Sequence, residues 1–511
     1  MSTHVELRAG AYHDSVSLMQ VSRAVASTPG VQAAQVAMAT ELNVDVLRSM
    51  GFDVPAEAGP NDLVIALRTD TADAVAPGLA AVADALAGLR ATSDSGGGDE
   101  VVAPRTLGSA AAREGATLAV VSVPGQHAVT EAFDAIACGL SVMLFSDNVS
   151  VEDEVALKDA AAAADVLLMG PDCGTAHIGG VALAFANVVR SGSVGIVAAS
   201  GTGAQQVMCL LDAAGVGVSH CLGVGGRDLK AAVGGRSTRQ ALRALADDPA
   251  TEGVIVVSKP PDAAVLSEVE ALAATLGLRV HWAVLGSGRP DLTASVEEFL
   301  RGQGHAVPTW PSWPSTAGVS GPEHHPEPRP GAARLARGSA LRGLFCGGTL
   351  ADEAMTVAEG ELGGIRSNIA HDPALAPGPD LRDPGHVIID FGDDGLTRGR
   401  AHPMIDPTLR LERIAAEALD PTCGVLLLDL VLGHGAHPDP ADELADAVRA
   451  ARATALAGGR DLPVVVSLTG TDADPQDRGG CARVLAAAGA SVYLSNAAAT
   501  RAALTLLRSA R

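Results

Sequence analysis

The sequence is short of lysine, of basic runs and of long apolar stretches, and each shortage excludes something. Its 511 residues hold three lysines, Lys158, Lys230 and Lys259, against a net charge of −23. Such a surface repels nucleic acid and anionic membrane unless a local basic patch exists, and none stands out, so neither is expected as a partner. No apolar run reaches the ~20 residues of a membrane span. The opening MSTHVELRAG lacks the basic-then-apolar layout of a secretion signal, and a cytoplasmic protein is expected. The seven cysteines (138, 173, 209, 221, 346, 423 and 481) show no CxxC or other ligand spacing, so neither disulfides nor a metal site is expected. Cys173 and Cys346 sit at glycine turns, where a reactive thiol and a small buried residue are both open readings.

What the chain does have is apolar bulk (47% of residues) and length enough for several domains. Its organising stretch runs from Gly195 to Gly226. A buried strand at 195–198 leads into the glycine turn Ser200-Gly201-Thr202-Gly203, and a helix follows from Ala204. A glycine turn feeding a helix start exposes backbone N–H groups at the positive end of the helix dipole, which suits a phosphate or carboxylate. The same pattern returns at Leu344 to Glu353, LFCGGTLADE.

Taken in order, the strand and helix signals divide the chain into five parts. Residues 1–100 form a small α/β domain ending in the flexible DSGGGD of 94–99. Residues 101–188 alternate β-branched strands with helices, which predicts a parallel sheet of Rossmann-like type. Residues 189–303 form a first flavodoxin-like unit around the central stretch. Residues 304–338, rich in proline and carrying His324-His325, form a linker. Residues 339–511 repeat the flavodoxin-like pattern, with strands predicted at 343–346, 386–391, 424–430, 463–468 and 491–494. Most strands end in glycine-rich or polar turns, where ligands of open α/β sheets collect.

These motifs resemble a known family. Val123-Pro124-Gly125, EAFDAIACGL at 131–140, MGPDCG at 169–174, GIVAASGTGAQ at 195–205 and CLGVGGRD at 221–228 resemble the α subunit of succinyl-CoA synthetase. CGGTLADE, LDLVLGHGA and PVVVSLTGTD resemble the carboxyl-terminal ligase domain of its β subunit. The fused order, with HDSVSLM near the start and HPMIDPTLR at 402–410, is similar to the FdrA family. The resemblance implies an α/β, succinyl-CoA synthetase-like fold: a Rossmann-like CoA-binding-type domain followed by two flavodoxin-like ligase domains. It implies an enzyme subunit that works with companion subunits, as an oligomer, on a small anionic substrate. Oxamate carbamoyl transfer to or from phosphate in allantoin breakdown is the first function it implies. An NDP-forming acyl-CoA synthetase and a silent scaffold subunit are the alternatives.

Three departures bear on that choice. The shuttle histidine of the synthetases has no counterpart in LGSGRPDLTASVEEF, 285–299, and His281 lies upstream. Their glutamate that steadies the phosphohistidine is replaced by Ser258-Lys259, and a cation there suits an anionic ligand directly. Their CoA diphosphate loop is reduced to Arg8-Ala9-Gly10-Ala11-Tyr12, which leaves CoA an optional ligand, and the nucleotide-binding ATP-grasp domain is absent from the sequence.

The anion-binding candidates are therefore Ser200, Gly201, Thr202, Gly203, Gly225, Gly226, Lys259, Gly347, Gly348 and Thr349, with phosphate or an acyl or carbamoyl phosphate as ligand. For Ser200 and Thr202 helix capping is the competing role. The densest polar segment, AHPMIDPTLR, offers His402, Asp406 and Arg410 as catalytic candidates. His434, Asp147-Asn148 and Asp172 complete the set, the aspartates as partners for a substrate amide or as turn formers.

Overall fold

The computed structural model describes residues 2–11, 13, 15–93, 104, 106–316, 339–397 and 401–508. The predicted DSGGGD linker and the His324-His325 segment lie outside the described residues. The chain divides into two compact units, residues 1–115 with 397–401, and 116–396 with 402–511.

In the first unit, strands Ser2–Arg8, Leu63–Thr69 and Val31–Met38 form an antiparallel sheet with Leu63–Thr69 in the middle. Its apolar run LVIAL is explained by burial on both faces. Leu63, Ile65 and Leu67 meet Leu18, Val21 and Val82, while Val64 and Ala66 meet Val44, Leu47 and Phe52. The helix Glu41–Ser49, not expected from periodicity, starts at Thr40, whose hydroxyl accepts from the Asn43 N–H.

The second unit holds three sheets. Strands Leu118–Val121, Ser141–Leu144 and Leu168–Met169 lie parallel in that order. The first ligase sheet runs 280–284, 253–258, 191–199, 218–223, 175–178, 181–184. The second runs 312–313, 490–493, 464–469, 423–431, 340–345, 387–390. Both centres are parallel, and their core strands, such as Gly253–Ser258 and Cys423–Val431, are buried along their whole length.

Two expectations need correction. The hairpin Thr175–Ile178 and Val181–Ala184 pairs antiparallel and joins the first ligase sheet, so that sheet begins upstream of residue 189. Its turn, Gly179-Gly180, has φ of 55° and 90°, a conformation that glycine adopts without strain. The segment 304–316 is also no free linker. Ser312–Trp313 adds an edge strand to the second sheet. Val307 and Trp310 pack on the first ligase core, and the Trp310 indole donates to Glu297 at 2.9 Å.

The two ligase domains meet through buried polar groups. Asp474 accepts from Asn187 Nδ2 and from the Val188 N–H, both at 2.7 Å. Gln206 donates to the Leu494 carbonyl and accepts from Thr469. The three-stranded sheet is anchored to the first ligase domain by Lys158, which is 2% exposed and bonded at 2.7 Å to both Glu154 and Asp228.

Candidate anion site at paired glycine turns

Each ligase domain sends one helix from the end of a central strand, Gly201–Ala213 after 191–199 and Gly348–Leu362 after 340–345. The structure brings their starts together. Ser200 Oγ and Thr349 Oγ1 are 2.6 Å apart. A Cβ on Gly347 would stand 2.9 Å from Thr202 Oγ1, and one on Gly203 would stand 3.0 Å from Thr349 Cγ2. Only glycine leaves room for so close an approach of the two turns. Ser200 also accepts from the Gly203 N–H at 2.9 Å and so caps the first helix. Gly347, the corresponding residue of the second helix, offers no side-chain cap. Gly201, Thr202 and Gly348 remain partly exposed at the junction.

Lys259, at the end of strand 253–258, reaches the same place. A Cβ on Gly348 would lie 3.1 Å from Lys259 Nζ and 2.5 Å from Asp390 Oδ2. A cation and a carboxyl group therefore flank one helix start. Burial pushes the Asp390 carboxyl up to about 7, against the pull of Lys259 and the Gly392 N–H. Desolvation in the cleft, then Asp394 and Asp147, push Asp172 up to about 7, with Lys259 and Arg227 opposing. Asp394 is raised as well, first by desolvation and then by Asp147. Two carboxyl groups raised to about 7, Asp172 and Asp390, thus stand within the influence of one lysine.

The second glycine turn is shaped by a residue that sequence reasoning passed over. Asp429, fully buried in strand 423–431, accepts from the Cys346 N–H at 2.8 Å and the Gly347 N–H at 2.9 Å. Arg410 Nη1 pairs with the same carboxylate at 2.6 Å. This corrects the role expected of Arg410, whose buried guanidinium fixes the turn from behind. Asp406 is exposed and accepts from the Thr408 N–H and hydroxyl, so it closes the first turn of helix Thr408–Leu419. His402 stacks at 5.7 Å on Phe185 and takes the Met404 N–H on Nδ1. Its Nε2 lies 2.6 Å from the place of a Gly392 Cβ, and burial, then Arg410, push its pKa down to about 4. The expected catalytic trio therefore does not converge on one substrate face.

Gly225 packs tightly in its turn, while Gly226 is exposed with open space around it. Gly225, at φ 88°, packs on the Pro171 carbonyl. Arg227 bonds to Glu154 and the Val149 carbonyl, and Asp228 caps helix Arg236–Asp247 through Ser237 and Thr238. Arg227 also lowers the pKa of Asp172 and Asp394. His281 sits on strand 280–284 against Phe299, outside the paired turns. The strand-end aspartates Asp390 and Asp429 could have been found by the rule that ligands gather at the carboxyl ends of parallel strands.

These features define an α/β protein of CoA-ligase type. Residues 344–506 match the CoA-ligase family, and residues 1–103 match a family described as AllF, heavy metal-associated domain. The chain is 39% identical over 487 residues to the uncharacterized protein YahF of Escherichia coli, covering 93% of this chain and 92% of that one. It belongs to the FdrA-like family that includes YahF. It is also 30% identical over 173 residues to the succinate–CoA ligase α subunit 2 of Archaeoglobus fulgidus, covering 32% of this chain and 58% of that subunit. With the corresponding subunit of Methanothermobacter thermautotrophicus the figures are 27% over 143 residues, 27% and 47%. The match therefore spans about half of each ligase subunit. A dinucleotide-forming acetyl-coenzyme A synthetase of Ca. Korarchaeum cryptofilum superposes with a TM-score of 0.30 at 15% identity over 81% of this chain and 88% of that one.

The metal suggested by one of these names does not fit the residues present. Residues 1–103 contain no cysteine, and among the described residues no cluster of three or more His, Cys, Asp or Glu side chains could hold a metal. For the CoA diphosphate, Gly10 lies at the end of an antiparallel strand with its N–H on Asp62, and Gly125 is packed against the Asp147 and Asn148 carbonyls. Gly10 thus offers no helix start, whereas Gly125 opens helix Gly125–Ala137, which has no side-chain cap. Among the described residues no helix is long and apolar enough to cross a membrane.

Proposed function

We propose that the paired glycine turns bind phosphate or an acyl phosphate, and that the chain is the anion-handling subunit of a carbamoyltransferase of the oxamate type. The observation that carries this is the convergence on Gly348 of Lys259 Nζ and Asp390 Oδ2, beside a helix start that touches its twin. A carbamoyl group pairs an amide, whose N–H groups need acceptors, with a neighbouring anion, which needs a cation or backbone N–H groups. Carboxyl groups around one lysine offer both. A site for a bare phosphate would carry fewer carboxylates.

The reaction needs no covalent carrier. A phosphate oxygen attacks the carbamoyl carbon of an N-carbamoylated oxamate, the bond from that carbon to the oxamate nitrogen breaks, and the nitrogen takes up a proton. Carbamoyl phosphate and oxamate leave. The helix starts and Lys259 would hold the phosphate in line for attack, which is catalysis by positioning and charge. The lack of histidine in 285–299 is consistent with a route that bypasses a phosphoenzyme. Companion subunits, and an oligomer built with them, belong to this proposal.

The test is carbamoyl transfer between oxamate and carbamoyl phosphate, followed in both directions with the purified chain alone and with its companion proteins. Transfer without ATP or CoA is expected. Acid-labile phosphate retained on the chain after treatment with labelled ATP would instead restore the second reading, an NDP-forming acyl-CoA synthetase, which the CoA-ligase match favours.

A further inference from the structure

Helix Gly348–Leu362 carries a second set of chemical groups one turn beyond the paired glycine turns. Gly348 and Asp352 are four residues apart and share a face, about 6 Å along the axis. Met355 and Glu359 continue that stripe. Asp352 is 1% exposed, and its Oδ1 meets His371 Nε2 at 2.6 Å. Among the described residues its Oδ2, also buried, meets no hydrogen-bond partner. A buried carboxylate aimed at an imidazole, with its other oxygen unmet, is costly as mere architecture.

His371 is the accessible partner, with a side chain 54% exposed. It lines a cavity of about 370 Å³ together with Met355, Glu359, Gly364, Asp372 and Leu375. Because Nε2 faces Asp352, Nδ1 is the ring's remaining proton site. The groups that act on the imidazole are Asp352 and Glu359 on the helix and Lys230 across the cleft. Lys230 donates to the Pro260 carbonyl, next to Lys259, which sets that ammonium beside the loop that brings Lys259 to Gly348. The hydrogen bond to Asp352 raises the pKa of His371 above its ordinary value, against the effect of burial.

We propose that His371, oriented by Asp352, is the acid–base residue for carbamoyl transfer between a phosphate held at the Gly348 turn and a nitrogen-bearing anionic co-substrate that extends along the helix into the neighbouring cavity. The proposal rests on the function proposed above and deepens it. As the bond from the carbamoyl carbon to the leaving nitrogen breaks, that nitrogen gains a proton from His371 Nδ1. In the reverse direction the neutral ring accepts it. Asp352 is a positioning residue, which fixes the tautomer and holds the charge of the imidazolium. The substrate class is an N-carbamoylated amide bearing a carboxylate.

Two measurements separate this proposal from the reading beneath it. The first needs no turnover. Histidine ring resonances of the full-length protein, assigned with His371→Gln, should show His371 titrating above the ordinary value, at a lower pH in Asp352→Asn, and shifting when oxamate is added with saturating inorganic phosphate. A His371 that titrates alike in both proteins and ignores oxamate overturns the proposal. The second is the carbamoyl-transfer assay. His371→Gln should lower kcat by about 10²-fold with the KM for phosphate unchanged. Asp352→Asn should move the basic limb of the pH profile to lower pH, and Asp352→Glu should restore part of it. Equal activity of His371→Gln and the wild type also overturns it. Loss of phosphate-induced thermal stabilisation in His371→Gln would mark a structural role and count against it as well. If the wild type transfers no carbamoyl group, the function proposed above fails, and the resonance experiment still decides the dyad.

Discussion

At the scale of single residues, Gly348 is the point where the helix start, Asp390 and Lys259 crowd together. It stands at the first position of its helix with a φ that any residue adopts, so alanine there should not strain the backbone. An alanine replacing glycine in a helix is worth up to about 1 kcal/mol in its favour. Its Cβ, however, would fall 2.5 Å from Asp390 Oδ2 and 3.1 Å from Lys259 Nζ, so the buried Asp390 carboxyl would have to move. Gly348→Ala is therefore expected to lower the melting temperature in buffer by several degrees and to lose most of the rise produced by phosphate or carbamoyl phosphate. Ser200→Ala should keep that rise. It removes the cap on the Gly203 N–H, worth roughly 1 kcal/mol, but leaves the backbone donors in place. Thermal shift measurements on both variants check this. An undiminished ligand response in Gly348→Ala would move the anion site elsewhere.

At the scale of elements, the strands of the two ligase sheets were legible because buried parallel strands are continuous runs of Val, Ile and Leu, as in VIVV at 254–257 and VLLLDLV at 425–431. The helix starts were legible because glycine turns mark them. The hairpin at 175–184 was not, since its four-residue strands carry no periodicity of their own and are set by pairing with 218–223. Prolines hid the strand 312–313, whose pairing depends on Val492 and Tyr493, far along the chain. The site was half legible. Gly347 and Gly348 stand out in sequence, whereas Asp352, Asp390 and Asp429 gain meaning only from three-dimensional neighbours. His402, Asp406 and Arg410 misled because their closeness along the chain did not translate into a shared direction.

One element junction carries a pH dependence. Glu353, on the second glycine-turn helix, accepts from the Leu292 N–H at 2.6 Å, at the start of helix Leu292–Gly302, and from Asn496 Nδ2 at 2.7 Å. Burial, reinforced by Asp291, raises its carboxyl to about 7. A carboxyl whose folded pKa is raised binds more protons in the native state. Its contribution is fully present below the unfolded value of 4.5 and is lost as the pH rises through about 7. The shift corresponds to roughly 3 kcal/mol between those limits. Asp390 and Asp172 act in the same sense over the same window. Melting temperatures from pH 5 to pH 8 should therefore fall for the wild type and fall less steeply for Glu353→Gln. Parallel curves would show that Glu353 titrates as in the unfolded chain.

At the scale of the second unit, the two ligase domains share buried polar groups that neither satisfies alone, and this makes them one folding unit. Asp474 is the strongest case. It is 4% exposed, and its carboxylate accepts from Asn187 Nδ2, the Val188 N–H and the Thr471 N–H at 2.7–2.8 Å. Two of those donors belong to the first ligase domain and one to the second. Gln205 joins the same network through Asn187 Oδ1 and the Leu432 carbonyl. Replacing Asp474 with alanine would leave two buried donors and one partly buried donor unmet, at about 1–3 kcal/mol for each buried one before relaxation. Because the network spans both domains, the loss should lower the stability of both together. Calorimetry of the wild type is expected to show a single transition for the two ligase domains. Asp474→Ala should shift that transition down by several degrees or split it into two. Asp474→Asn, which keeps one acceptor oxygen, should fall between. A wild type that already melts in two steps, or an Asp474→Ala protein with an unchanged transition, would mean that the domains are merely adjacent and that the paired glycine turns are held together by their own contacts alone.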